Sequence, residues 1–119
     1  MKMTQRDLRS VFDLHEKIRK LNDIQQGLLK IASSSEDPEL EHSIEILSQE
    51  IAEIKKEIDL RRPSIEDTLT EVEDISGRTI LRLRFLHGLS WKEVSLYVNM
   101  SNVTARSAAY RALNMYIPK

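Results

Sequence analysis

Apolar residues recur along the first part of the chain at helical spacing. Leu8, Val11, Leu14, Ile18, Leu21, Leu28 and Ile31 follow one another in steps of three or four, with one turn skipped at Gln25. That spacing predicts one long amphipathic helix. Ile24, beside the gap, shows the stripe drifting as a period of 3.6 drifts against a strict heptad. The polar run Ala32-Ser33-Ser34-Ser35-Glu36-Asp37-Pro38 then breaks the pattern, with Asp37 placed to cap a new helix and Pro38 to fill its first position. In the second helix Leu40, Ile44, Leu47, Ile51, Ile54 and Ile58 form an uninterrupted seam of alternating four- and three-residue steps. At about 1.5 Å per residue each helix would run roughly 35 to 40 Å, too long to be enclosed by so short a chain but suited to an antiparallel hairpin. The seam can zip the two helices within one chain or recruit a second chain, so these six residues are the candidates for oligomerisation.

Arg61-Arg62-Pro63-Ser64 predicts a break, because a proline disfavours helical geometry at the residue before it, and Ser64 can cap a short third helix holding Ile65, Leu69 and Val72. The pattern therefore divides the chain into a helical stalk (1–62), a connector with a short helix (63–76) and a carboxy-terminal helical unit (77–119).

The carboxy-terminal unit is punctuated most explicitly. Gly88 stands where a glycine relieves a left-handed helix end, with His87 suited to the dipole of the last turn. Ser90 and Glu93 form an S-x-x-E capping box that opens a helix with Trp91, Val94 and Val98 directed inward. Asn99 and Met100 make a tight turn, Ser101 caps a last helix over 102–116, and Pro118 prevents its continuation. On that last helix Ala105, Ala108, Ala109, Ala112, Leu113 and Tyr116 make a small apolar side. Asn102, Val103, Arg106, Ser107 and Tyr110 fall on the opposite side.

Composition sharpens this into an all-α fold. Charged residues make up 31% and aromatics 5%, with three glycines and three prolines, a mix that favours helices over a sheet-rich sandwich. No cysteine is present, so disulfide and cysteine-metal chemistry are excluded and a reducing cytoplasmic setting is expected. Neither an apolar leader nor a run of roughly 20 apolar residues is found, and no membrane association is expected. His15, His42 and His87 are too scattered for a metal site, and Glu71, Glu73 and Asp74 lack any companion nucleophile. No phosphate-cradling loop or nucleophile elbow occurs, so the residues offer no catalytic site and call for no cofactor.

Charge is unevenly placed. From Ser76 onward seven basic residues face Glu93 alone, a net of +6, which leaves −7 for the preceding residues within the total of −1. A basic end behind an acidic stalk fits a polyanionic partner or attraction between the two parts. In the first of these readings the last helix enters a DNA major groove. Asn102 can bind adenine, Val103 can touch a thymine methyl, Arg106 can reach guanine or phosphate, and Ser107 can bond either kind of base. Lys92, the capping hydroxyls of Ser101 and Thr104, Tyr110 and Arg111 complete the candidate DNA-binding set. Arg84 and Glu93 are expected to pair, and Arg78 and Arg82 to meet the acidic connector.

The residues that carry a family resemblance are Arg78-Thr79-Ile80-Leu81-Arg82-Leu83-Arg84-Phe85, then Gly88-Leu89-Ser90-Trp91-Lys92-Glu93-Val94, and finally Ser101, Thr104 and Arg111-Ala112-Leu113. Together, residues 78–113 resemble the region-4 helix-turn-helix of sigma-70-type factors, particularly in ArpU-like and RinA-like phage late-transcription regulators. The resemblance implies a transcription regulator of phage or prophage origin, with Asn102, Val103, Arg106 and Ser107 at the family's DNA-facing positions. It also implies a helical segment ahead of the domain that serves oligomerisation or contact with RNA polymerase. Two other readings compete: a DNA-packaging protein of the small-terminase kind, in which the DNA-binding unit usually comes first, and a helix-turn-helix adaptor that binds protein instead of DNA. Because the last helix holds only Arg106 and Arg111 as cations, either a second copy or a partner already at the DNA is expected to add to its grip.

Overall fold

The computed structural model describes residues 2–34 and 36–119. Five α-helices occur among them, and no strand: α1 (Gln5–Ala32), α2 (Pro38–Leu69), α3 (Ile75–Leu81), α4 (Trp91–Val98) and α5 (Asn102–Tyr116). A π-helical turn (Arg82–Leu86) continues α3. None of the described helices is long and apolar enough to cross a membrane.

Local signals start each long helix. Thr4 and Asp7 make a reciprocal capping box, in which the Asp7 amide donates to Thr4 Oγ1 at 3.2 Å and the Thr4 amide donates to Asp7 Oδ2 at 2.9 Å. The carboxyl of Asp7 is held below its ordinary value, chiefly by that backbone hydrogen bond. Asp37 accepts from the Glu39 amide, with Pro38 in the first position of α2, as the breaker predicted; Ser35 of that breaker lies outside the described residues.

The two long helices pack as an antiparallel hairpin within a molecule 55 × 32 × 17 Å in extent. The α2 seam faces α1 in the same chain: Ile51 and Ile58 are buried, and Leu40, Ile44, Leu47 and Ile54 are half-buried. At the skipped turn of α1, the Gln25 amide donates to the Ile44 carbonyl at 3.1 Å and to Ser48 Oγ. Gln25 thus interrupts the apolar stripe because it ties the helices together by hydrogen bonds.

The break expected at 61–64 is corrected. α2 runs through Pro63, and Ser64, instead of capping a third helix, offers its carbonyl to Thr68 Oγ1 at 2.7 Å. Ile65 and Leu69 belong to α2 itself, and Val72 to the turn after it. An interior proline costs about 3 kcal/mol through a lost hydrogen bond and a ring clash. Fully burying Ile65 and Leu69 returns about 1.5–3 kcal/mol each, which carries the helix on. Pro63 and Asp59, whose carbonyl loses its amide partner, are both exposed, which limits the cost of that lost bond.

One core joins the base of the hairpin to the shorter helices. Leu8, Val11, Ile65, Leu69 and Val72 pack with Ile80, Leu81, Val94, Ala105, Ala109 and Leu113. The amino-terminal segment is stitched into it. The Met3 amide donates to Thr68 Oγ1 at 2.7 Å, and the buried Gln5 side-chain amide donates to the carbonyls of Leu113 and Ile117 at 3.0 and 2.8 Å. Gln5 thereby gives the Ile117 carbonyl a donor and adds a second one to the Leu113 carbonyl, which already accepts from the Ile117 amide.

Candidate nucleic-acid interface

The candidate site is built outward from α3. Asp74 caps this helix by accepting from the Gly77 amide at 3.2 Å. Any Cβ on Gly77 would stand 2.8 Å from the Ala112 Cβ, so glycine here lets α3 lie directly against α5. After Leu81 the helix widens into the π turn, closed by the His87 amide donating to the Arg82 carbonyl at 3.3 Å. Gly88 then adopts φ +67°, the left-handed end that the sequence predicts. A second reason for glycine is invisible in the sequence: a Cβ there would overlap the imidazole of His15 at Cγ.

α1 braces this turn from one side. Arg19 donates to the Gly88 carbonyl at 2.7 Å and pairs with Glu93 at 2.8 Å. The Ser90–Glu93 capping box forms as expected, and the backbone hydrogen bond from Ser90, followed by the Arg19 contact, holds the Glu93 carboxyl down to about 2. The expected Arg84–Glu93 pair is therefore corrected, because α1 delivers Arg19 to that carboxylate. Arg84 instead donates to the Leu89 carbonyl at 3.0 Å and lies between two rings, 3.5 Å from the Phe12 centroid and 4.3 Å from that of Trp91. Burial pulls the Arg84 pKa down, opposed by the field of nearby Glu16. Arg82 pairs with Glu66 near the end of α2, and Arg78 donates to the Val72 carbonyl at 3.3 Å. His15 sits beneath the turn with its Nε2 buried and unpartnered, and burial pushes its pKa down.

α4 and α5 are joined by Asn99-Met100-Ser101. Asn99 takes φ 55°, ψ 47°, and the Met100 amide donates to the Ser95 carbonyl at 3.1 Å. Ser101 Oγ accepts from the Thr104 amide at 3.1 Å and lies 2.8 Å from Thr104 Oγ1, so the two hydroxyls engage each other at the start of α5.

The faces of α5 divide as the spacing predicts. Ala105, Ala109, Ala112 and Leu113 are buried, and Ala108 and Tyr116 half-buried. Asn102, Val103, Thr104, Arg106, Ser107, Tyr110 and Arg111 are exposed, Val103 at 75%. Lys92 is exposed at the start of α4. Arg84, Lys92, Arg106 and Arg111 have no carboxylate within ion-pair distance among the described residues.

Two contributions escaped the sequence. Trp91 packs half-buried against the core, as expected, but it also stands 6.2 Å from Tyr110, whose ring lies under Arg106 at 5.9 Å. Phe12, Arg84, Trp91, Tyr110 and Arg106 thus form one row from α1 to α5, with the Trp91 and Tyr110 rings tilted by 49°, although Phe12 and Arg84 are 72 positions apart in the sequence. On α4, Leu96 and Tyr97 are exposed at 75% and 72%. No group of three or more His, Cys, Asp or Glu side chains among the described residues is placed to hold a metal ion. No family model matches the chain, and no curated protein or solved structure matches it.

Proposed function

We propose that α4, the three-residue turn and α5 form a helix-turn-helix of the sigma region-4 kind, and that the chain is a DNA-binding transcription regulator of phage type. In this reading α5 enters the major groove by its amino-terminal turns. The observation that carries it is the division of α5. An alanine-rich face is buried against the core, while Asn102, Val103, Arg106 and Ser107 stand exposed at the end where groove-reading helices make their base contacts. Lys92, Ser101 and Thr104 near that end, with Tyr110 and Arg111 two turns further along α5, serve phosphate contacts. Exposed Leu96 and Tyr97 on α4 favour an accompanying protein partner, for which RNA polymerase is the candidate. With the seam of α2 turned towards α1, self-association through the hairpin would use its outer surface, where Ile24, Leu29, Ile31 and Ile46 are exposed.

Selection of bound duplexes from a random pool, followed by titration of the winner, tests the reading. Asn102→Ala or Arg106→Ala is expected to weaken the selected duplex by about 1–3 kcal/mol with little change on scrambled DNA. Equal losses on both duplexes would refute base readout by α5. With roughly 3 to 5 phosphate contacts per subunit, log affinity should fall against log salt with a slope of about −3 to −4.5. A chain that binds no duplex at low salt would support the protein-binding adaptor instead.

A further inference from the structure

A groove of about 400 Å³ opens between α1 and the α4–α5 unit. Arg9 and Asp13 of α1, Arg84 of the π turn, Trp91 and Tyr110 line it. Resting on the DNA-binding reading above, we propose that this groove seats the phosphodiester backbone of the duplex whose bases α5 reads, with Arg9 and Arg84 as its phosphate ligands.

Arg84 is the first reason. Its guanidinium is held against the Phe12 and Trp91 rings, with Cζ 3.5 Å and 4.3 Å from their centroids. A planar fork held in that way matches a phosphate better than a mobile lysine does. Only Nη1 is occupied by a protein acceptor, the Leu89 carbonyl, and no carboxylate pairs with this partly desolvated cation among the described residues. A cation removed from water without a counter-charge is costly, and an incoming phosphate supplies that charge.

Continuity with the reading face is the second reason. Tyr110 belongs both to the exposed side of α5 and to the groove wall, and Arg106 lies over its ring. Tyr110 stands eight residues, about 12 Å, along α5 from Asn102, and Arg9 is exposed on the facing helix at the same groove. Asp13 is the one carboxylate lining the groove and opposes the anion. The groove thus adds cations that α5 itself lacks.

The test titrates the full chain into the selected duplex and a scrambled duplex by fluorescence anisotropy across a salt series. Arg9→Ala, an exposed position, should weaken both duplexes about 3- to 10-fold near 0.1 M salt and flatten the log–log salt slope by about 0.9. Asp13→Asn should tighten both, a gain that loss of folding cannot mimic. If both variants bind as wild type does while Asn102→Ala still erases sequence preference, the groove proposal is overturned and the DNA-binding reading stands. Loss on the selected duplex alone with an unchanged slope also overturns it, since that is the signature of a base contact. If wild type binds neither duplex at low salt, the DNA-binding reading fails and the groove proposal with it.

Discussion

Gly88→Ala, combined with His15→Gly, probes how tightly the hairpin braces the turn ahead of α4. At φ +67° an alanine bears the left-handed penalty of about 1–2 kcal/mol. Its Cβ would also overlap His15 Cγ and fall 2.5 Å from both His15 Cβ and Nδ1. Separations so far inside van der Waals contact require α1 or the turn to move, at about 1–3 kcal/mol by the usual cost of overpacking. The single substitution should therefore destabilise the fold by about 2–5 kcal/mol in urea unfolding. His15→Ala would not relieve the overlap, because the Cβ remains; His15→Gly removes all three of those atoms. The double mutant should recover about 1–3 kcal/mol relative to the sum of the singles, leaving the conformational penalty at Gly88 and the cost of a glycine within α1 at position 15. Additive losses would show that the turn answers only to its own φ angle, and the bracing argument would be wrong.

Two further outcomes follow from the core and its titratable groups. Pro63→Ala should raise stability by about 1–3 kcal/mol, since it restores the amide donor to the Asp59 carbonyl in a helix that already forms; an unchanged or lower melting temperature would contradict that. His15 is held neutral by burial, with its folded pKa below the ordinary value of about 6.5. The unfolded chain takes up this proton first as pH falls, so the stability tied to neutral His15 is whole above about pH 6.5 and is lost through the lower folded value. His15→Gln should flatten the stability profile as pH falls below about 6.5; a profile parallel to wild type would place the titration elsewhere.

Much of the carboxy-terminal unit was legible because its signals are local. The Ser90–Glu93 box, the left-handed Asn99, the Ser101 cap and the glycine at 88 each act within a few residues, and each formed where the spacing put it. The two faces of α5 were legible for the same reason: an alanine side and a polar side differ in composition at helical period. Pro63 misled because its cost is local, while the burial of Ile65 and Leu69 that outweighs it depends on helices far along the chain.

The amino-acid pattern by itself determined five features: the all-α class, the hairpin, the α4–turn–α5 unit, the caps at Asp37, Ser90 and Ser101, and the outward residues of α5. Helical periodicity and capping are short-range and need no knowledge of the fold. Tertiary structure decided which cations remain available and which are spent. Arg19, a hairpin residue, takes Glu93; Arg82 goes to Glu66; Arg84 is released to lie between Phe12 and Trp91. Apart from the local Arg84–Trp91 contact, those choices rest on contacts between residues 16 to 74 positions apart, brought together only when the base of the hairpin closes onto the shared core.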